Sequence, residues 1–236
     1  LLTAFQICNK TISAHDHNER QRGEYFVQLL KEGKSIALVS DAGTPLISDP
    51  GFHIVRYCRQ NDIPVVPIPG ACAAVAALCA AGLPTDRFSF EGFLPSKTGA
   101  RLSVLESLKS ESRTMVFYDA PRRVIDTVND IISAFGADRY VVIARELTKT
   151  FETITGDTAG NLKQWLENDP NQQKGELVLI IEGCEHNPND IPQQAKDALK
   201  LLLAELPPKK ACAVAAKIFD LKKNALYDYA LSLKED

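Results

Sequence analysis

The stretch Lys34-Ser-Ile-Ala-Leu-Val-Ser-Asp-Ala-Gly-Thr-Pro-Leu-Ile-Ser-Asp-Pro-Gly51 constrains the fold more than any other part of the chain. Ile36-Ala37-Leu38-Val39 is an unbroken apolar run, the pattern of a short strand covered on both faces of a parallel sheet. It breaks at once into Ser40-Asp41-Ala42-Gly43-Thr44-Pro45, a loop of small residues with one carboxylate. In open α/β sheets, ligands lie beyond the carboxyl ends of strands, where loops of this kind sit. Gly43 lets the backbone approach a ligand closely and Pro45 stiffens the turn. Taken alone, the loop fits a plain connection between strand and helix equally well.

The next segment repeats the pattern. A helix is expected over Phe52–Gln60, then a second short buried strand over Ile63–Ile68, then Pro69-Gly70 opening an alanine-rich helix that runs to Gly82. Alanines allow close packing, and free amides at a helix start can hold a polar or anionic group. An alanine-rich core helix needs no ligand. A second glycine turn after a second strand is better explained by a ligand crevice built from two neighbouring strand ends.

Residues 1-83 are therefore expected to form an N-terminal α/β domain, entered part-way because Leu1–Phe5 already reads as the inside of a helix. A helix is expected over Glu19–Glu32, with Asn18 and Gln21 spaced as a capping box. His15, Asp16 and His17 admit a metal site, but no third partner stands at suitable spacing, so a polar turn or substrate rim is favoured and no metal is expected. Gly82-Leu83-Pro84 marks a boundary. Residues 84-185 read as a second, mixed α/β domain. Its strands are expected near Phe88–Phe90, Thr114–Tyr118, Tyr140–Ala144 and Leu177–Ile181, with helices over Arg101–Leu108, up to Phe135 and over Asn161–Glu167, and a hairpin at Thr153–Gly156. Residues 186-236 read as a polar linker and a helical tail of three helices, with a helix-turn-helix outline around Asp220–Asn224.

Composition narrows the class. Apolar residues make up 45% of the chain and charged residues 24%, ordinary values for a globular protein. No apolar run is long enough to span a bilayer, so no membrane association is expected. Six cysteines are scattered without metal-ligand spacing; Cys58, Cys72, Cys79 and Cys212 fall in apolar helical patterns, which favours a reducing cytoplasm over a disulfide framework. The net charge of −3 argues against a globally basic nucleic-acid binder. Between Pro207 and Lys234, however, six lysines face two aspartates, consistent with either a solvated helix face or a phosphate-facing surface.

Taken together, Leu38–Gly51, Val66–Ala74, Phe90-Glu-Gly-Phe-Leu-Pro95, Ala144-Arg-Glu-Leu-Thr-Lys-Thr-Phe-Glu152 and Lys174-Gly-Glu-Leu-Val-Leu-Ile-Ile-Glu-Gly183 resemble the ribosomal RNA small-subunit methyltransferase I family, the cytidine 2′-O-ribose methyltransferases of the tetrapyrrole-methylase superfamily. The likeness runs from about His15 to the C-terminus and includes Lys222-Lys-Asn-Ala-Leu-Tyr227. It implies a homodimer of two α/β domains with S-adenosylmethionine in the cleft between them, acting on small-subunit ribosomal RNA or the small ribosomal subunit. The cofactor would lie against Asp41, Ala42, Gly43, Thr44, Ile47, Ser48, Cys72, Ala73, Tyr118, Glu176 and Leu177. Where most of the superfamily carries Gly-Asp-Pro, this chain has Gly43-Thr44-Pro45, so Asp41 is expected to supply the carboxylate. The family's first strand, its Pro-Ile-Gly-Asn-Leu loop and its Glu-Asp-Thr-Arg segment are absent, and an open cleft with an uncovered sheet edge is expected.

Methylating a ribose hydroxyl requires the 2′-oxygen held in line with the methyl group, a proton acceptor and exclusion of water. Arg145, Glu146, Lys149 and Glu152 form a dense set of charges after the Tyr140–Ala144 strand. Glu146 is the candidate proton acceptor, and Arg145 and Lys149 are candidates for positioning phosphates; an ion-pair ladder on a hairpin is the structural alternative. Arg122 and Arg123 are further phosphate candidates, and Lys209, Lys210, Lys222 and Lys223 are expected to dock structured RNA. Three other functions fit less well. Methylation of a tetrapyrrole or other small metabolite is disfavoured by the basic tail and by the lack of a porphyrin-sized aromatic wall, and a non-catalytic RNA- or ribosome-binding protein keeps the fold without turnover. A nicotinamide-linked oxidoreductase lacks its Gly-x-Gly-x-x-Gly fingerprint.

Overall fold

The computed structural model describes residues 2–15, 19–184, 191, 193–219 and 221–233. Contacts divide the chain into two compact units, Leu1–Gly183 and Cys184–Asp236.

The first unit opens with turns over residues 2–6 rather than the expected helix, with Phe5 exposed. Helix α1 (Glu19–Lys31) buries Phe26 and Val27 and packs on α2 (Phe52–Gln60), Gly23 bringing the two helices close enough for a Cβ to meet the Tyr57 ring. The proposed Asn18 cap and the Asp16–His17 part of the metal pattern lie outside the described residues. Glu19 is buried, and its carboxylate accepts the amides of Gly51 at 2.7 Å and His53 at 3.0 Å, so the start of α1 caps the start of α2. That relationship is long-range and has no signature in the local sequence.

The two strands expected in residues 34–68 are not formed. Ile36 and Val39 are 41% and 62% exposed, Val66 and Ile68 are 73% and 80% exposed, and neither run pairs with another segment among the described residues. An apolar run becomes a strand only when a neighbour completes its hydrogen-bond ladder; side-chain pattern alone does not supply one.

Such neighbours exist further on. Strands β1 (Phe88–Phe93), β2 (Thr114–Asp119), β3 (Tyr140–Arg145), β4 (Thr153–Thr158) and β5 (Leu177–Ile181) form one sheet in the order β1-β2-β5-β3-β4. β1 and β2 are parallel, and the other pairs are antiparallel. The last strand in sequence is thus central, which is why Leu177-Val-Leu-Ile-Ile181 is buried along its whole length. Alternation sends Met115, Phe117, Ile143, Leu177 and Leu179 to one face, beneath α4 (Thr98–Ser107), α5 (Val124–Phe135) and α6 (Ala159–Asn168). Val116, Val142, Ala144, Val178 and Ile180 face the other way, against α3 (Ala73–Ala80). Ala74, Ala77 and Leu78 make that contact, while Cys79 is exposed and Cys72 only half-buried, unlike the core thiols expected there. Leu83 is buried on the same face, so residues before and after the expected boundary share one core.

One buried ion pair braces the helical layer. Arg101 is 1% exposed; its Nε donates to Asp130 at 2.7 Å, and its Nη1 donates to the carbonyls of Pro95 and Ser96.

The second unit consists of α7 (Gln193–Glu205), α8 (Pro208–Phe219) and α9 (Lys223–Ser232) around Ala195, Leu199, Ala211, Cys212, Ala215, Leu226 and Ala230. Small residues at these contacts let the helices approach closely. Lys209, Lys210, Lys217, Lys222 and Lys223 are exposed. The residues between Cys184 and Gln193, apart from Ile191, lie outside the described residues, as does Asp220. Among the described residues, no helix is long and apolar enough to cross a membrane, and no group of His, Cys, Asp and Glu could hold a metal ion.

Candidate active site

The loop after Val39 and the turn before α3 meet. Thr44 Oγ1 donates to the Ala71 carbonyl at 2.8 Å, and Gly43, at φ +75°, lies with its open side 3.6 Å from that same carbonyl. The remainder of the loop is held in an unusual conformation. Leu46 and Ser48 take positive φ of 74° and 60°, and a side chain on Gly51 would meet Leu38 and Leu46 at 2.8 Å. Left-handed non-glycine residues each cost on the order of 1 kcal/mol and persist where surrounding contacts impose them. Here the Glu19 cap on Gly51 and the Thr44–Ala71 bond pin both ends. Asp41, Ala42 and Ile47 are exposed on this loop.

The loop also reaches the sheet. Ser48 Oγ lies 3.9 Å from where a side chain on Gly92 would begin, at the irregularity in the β1–β2 register between Phe90 and Gly92. Beside it stands Tyr118, flanked by the rings of Phe90 and Phe93 at centroid distances of 5.0 and 5.3 Å. The Tyr118 hydroxyl accepts the Ala74 amide at 3.2 Å. Burial pushes its pKa up, and the neighbouring Cys72 thiol and Asp49 carboxylate act in the same direction. Gly43, Thr44, Ser48, Cys72, Ala73 and Tyr118, far apart in sequence, thus line one region. Phe90, Phe93 and Asp49 belong to it as well. Their stretches are visible as motifs, yet nothing in the local pattern assigns them a place.

A second group lies at the adjoining strand ends, where Asp119, Leu177 and Arg145 stand in register. Just beyond, Glu146 Oε1 accepts both Lys149 Nζ and the Glu176 amide, each at 2.8 Å, and Lys149 Nζ also reaches Glu176 at 3.0 Å. Lys149 and the Glu176 amide hold the Glu146 carboxyl below its ordinary range, while the two carboxylates raise Lys149. Gly175 takes φ +88°, and a side chain on it would overlap the Glu146 carboxylate, which would have to shift. Leu147 packs in the same cluster as Cys72, Phe90 and Tyr118, which puts this group next to the first.

Three residues expected to contact ligands are turned elsewhere. Leu177 is buried, its side chain on the face opposite Tyr118 by strand alternation, so only its backbone borders the cleft. Arg123 donates to Asp119 and to the Leu94 carbonyl, bracing a strand end rather than facing phosphate; Arg122 is the exposed one of the pair. Arg145 is buried, its guanidinium donating to Gln172 Oε1, Thr153 Oγ1 and the carbonyls of Lys174 and Phe151. Each lies on a strand end or helix start where alternation or a carboxylate four residues away decides its direction.

The first unit is thus a mixed α/β sheet flanked by helices, with small-residue loops and three aromatic rings gathered at one side. Residues 4–163 match the family of Tetrapyrrole (Corrin/Porphyrin) Methylases, and residues 189–234 match the RsmI C-terminal HTH domain. Among solved structures, diphthine synthase aligns with a TM-score of 0.57 at 17% identity, over 77% of this chain and 72% of that one. The methyltransferase CobJ aligns at 0.51, also at 17% identity, over 70% and 72%. Ribosomal RNA small subunit methyltransferase I of Pasteurella multocida is 56% identical over 232 residues, 98% of this chain and 83% of the relative. Its namesake in Escherichia coli O157:H7 is 54% identical over 231 residues, 98% of this chain and 81% of the relative. The chain belongs to the ribosomal RNA small subunit methyltransferase I family.

Proposed function

We propose that the chain transfers a methyl group from S-adenosylmethionine to the 2′-hydroxyl of a cytidine in small-subunit ribosomal RNA. The observation that carries this proposal is the junction of the 41–48 loop, the 70–74 turn and Tyr118 beside the Glu146–Lys149–Glu176 cluster, in a chain about half identical to proteins named for small-subunit ribosomal RNA methylation.

The residues suit the cofactor. Cys72 caps α3 without a side-chain bond to its amides, and apart from the Ala74 amide, which the Tyr118 hydroxyl accepts, the first-turn donors can serve a carboxylate. Asp41 and Asp49 can face cationic groups, and Phe90, Phe93 and Tyr118 offer an apolar wall. The cofactor, when bound, supplies an electrophilic methyl on a sulfonium. The protein holds the 2′-oxygen and accepts its proton. Glu146 is suited to that role because Oε1 is anchored by Lys149 and the Glu176 amide, while Oε2 has no hydrogen-bond partner among the described residues. Its depressed pKa makes it a weak base toward a ground-state hydroxyl. Proton transfer is then favourable only as the oxygen bonds to carbon and its hydrogen becomes acidic. Arg122 and the lysines Lys209, Lys210, Lys222 and Lys223 face RNA phosphates. A homodimer acting in the cytoplasm completes the proposal and rests on the family resemblance.

Titration calorimetry with S-adenosylhomocysteine, followed by methyl transfer from labelled S-adenosylmethionine to unmethylated small subunits, tests this directly. One-to-one binding and label at a single ribose 2′-oxygen of a cytidine are expected. Label on a base, on a small molecule or nowhere would refute it.

A further inference from the structure

We infer that the hollow between the β3–β4 loop and residues 171–174 is a second RNA contact, which takes one unpaired nucleotide flanking the methylated one. The inference rests on the proposed ribosomal RNA substrate and extends it to residues outside the cleft.

The hollow encloses about 650 Å³ and includes Arg145, Phe151, Glu152, Gln172 and Lys174 among its lining residues. Arg145 follows Ala144 in β3 and so leaves the sheet on the face opposite Tyr118. It is 6% exposed, yet no carboxylate lies within ion-pair distance of it among the described residues. Its hydrogen-bond partners are all neutral, and one N–H on Nη1 has no acceptor among the described residues. The Glu146 and Asp169 carboxylates act on it only from beyond contact distance, so an anion in the hollow would give it a direct charged partner. Lys174 adds an exposed ammonium bonded only to neutral Asn171 Oδ1. Glu152, the acidic lining residue, already accepts the Thr148 amide at 2.6 Å.

Above this floor the loop presents an aromatic ring. Phe151 is 71% exposed, although the loop that carries it is firmly held. Glu146 and Thr148 take positive φ of 52° and 65°, the Lys149 and Glu152 amides close turns on the Glu146 and Lys149 carbonyls, and Arg145 holds the Phe151 carbonyl at 2.9 Å. A strained, pinned loop displaying an exposed aromatic beside two cations whose direct acceptors are neutral has the parts that bind single-stranded RNA: a stacking face for a base and cations for its phosphate. An unpaired nucleotide beside the methylated one would present its base to Phe151 and its phosphate to Lys174.

The test uses the full chain and unmethylated small subunits. Phe151→Ala is expected to raise KM for the subunit about tenfold, with kcat and S-adenosylhomocysteine affinity retained, and Phe151→Trp to restore KM. Lys174→Ala is expected to raise KM and reduce the salt dependence of RNA binding by about one counterion. A photoreactive benzoyl-phenylalanine in place of Phe151 should crosslink to RNA. An unchanged KM in Phe151→Ala, or a crosslink to a second copy of the chain instead of RNA, would overturn the inference. Failure of the unaltered chain to methylate subunits would count against the proposed activity, whereas an RNA crosslink at position 151 would still support the nucleotide site.

Discussion

The Tyr118 hydroxyl accepts the amide N–H of Ala74 at 3.2 Å, so the end of a central strand is tied to the first turn of the helix that covers it. This bond joins the two halves of the proposed cofactor site. Tyr118→Phe is expected to weaken S-adenosylhomocysteine binding about fivefold, the net worth of one neutral hydrogen bond. Tyr118→Ala, which also removes the ring between Phe90 and Phe93, should cost more. Calorimetry showing wild-type affinity in Tyr118→Ala would remove this residue from the site.

Gly175 and Gly33 both have φ near +85°, at 88° and 84°, but only Gly175 has a neighbour in the way. Gly33→Ala should cost about 1 kcal/mol from backbone strain alone. Gly175→Ala should cost more, about 2–3 kcal/mol, and reduce methyl transfer because Glu146 must move. Urea denaturation of both variants isolates the contribution of the Glu146 contact; equal losses would show that the carboxylate moves freely.

The Arg101–Asp130 pair, with side chains 2% and 10% exposed, predicts a non-additive pattern. Asp130→Leu alone should destabilise by about 3–5 kcal/mol, since it leaves a buried guanidinium unpaired, and Arg101→Leu should also be costly. The double variant should be less destabilised than the sum of the two singles. Additive losses in a thermodynamic cycle would mean the pair does not act as a unit.

The Glu146 carboxyl is depressed and the Lys149 ammonium raised, and the signs fix a pH window. The stability that Glu146 gains is present above its unfolded pKa and is lost as pH falls through the lower folded value. That of Lys149 is present below its unfolded pKa and is lost as pH rises through the higher folded value. Neither titrates between about pH 5 and pH 9. Methyl transfer should therefore show no descending limb as pH is lowered from about 8 to about 5 if Glu146 takes the proton. A limb near pH 6.5, unaffected by Glu146→Gln, would place the base elsewhere.

Lys222 and Lys223 are exposed at the start of α9. Replacing both by Gln should lower the logarithmic salt dependence of RNA binding by about two and weaken binding across RNA sequences alike. An unchanged slope would leave them as solvated surface.

Regular elements are largely legible in the order of residues. The span of α2, Phe52–Gln60, follows from its apolar spacing, and β5, Leu177–Ile181, from its unbroken apolar run. Ile36–Val39 has the same kind of run and forms no strand. The difference is external to both segments: β5 lies between β2 and β3, whereas the other has no paired neighbour among the described residues. The site divides in the same way. Glycine loops, charged clusters and motif resemblance point to the 41–48, 72–73 and 145–149 stretches. Which of their side chains turn inward is not readable there, because it depends on sheet alternation and on partners such as Asp119 for Arg123 and Gln172 for Arg145.

Local sequence thus dictates the α/β class, the order of the helices and the sheet strands from Phe88 onward, the basic helical tail and the family, since periodicity, turn chemistry and ordered motifs are local properties. Tertiary packing alone makes the last strand central, lets Glu19 cap a helix more than thirty residues away, turns Arg123 and Arg145 inward to brace loops, and leaves Phe151 exposed above a buried guanidinium bonded to neutral acceptors. Those outcomes depend on which backbone and side-chain groups meet across long sequence separations, where burial and hydrogen-bond satisfaction outweigh local preference.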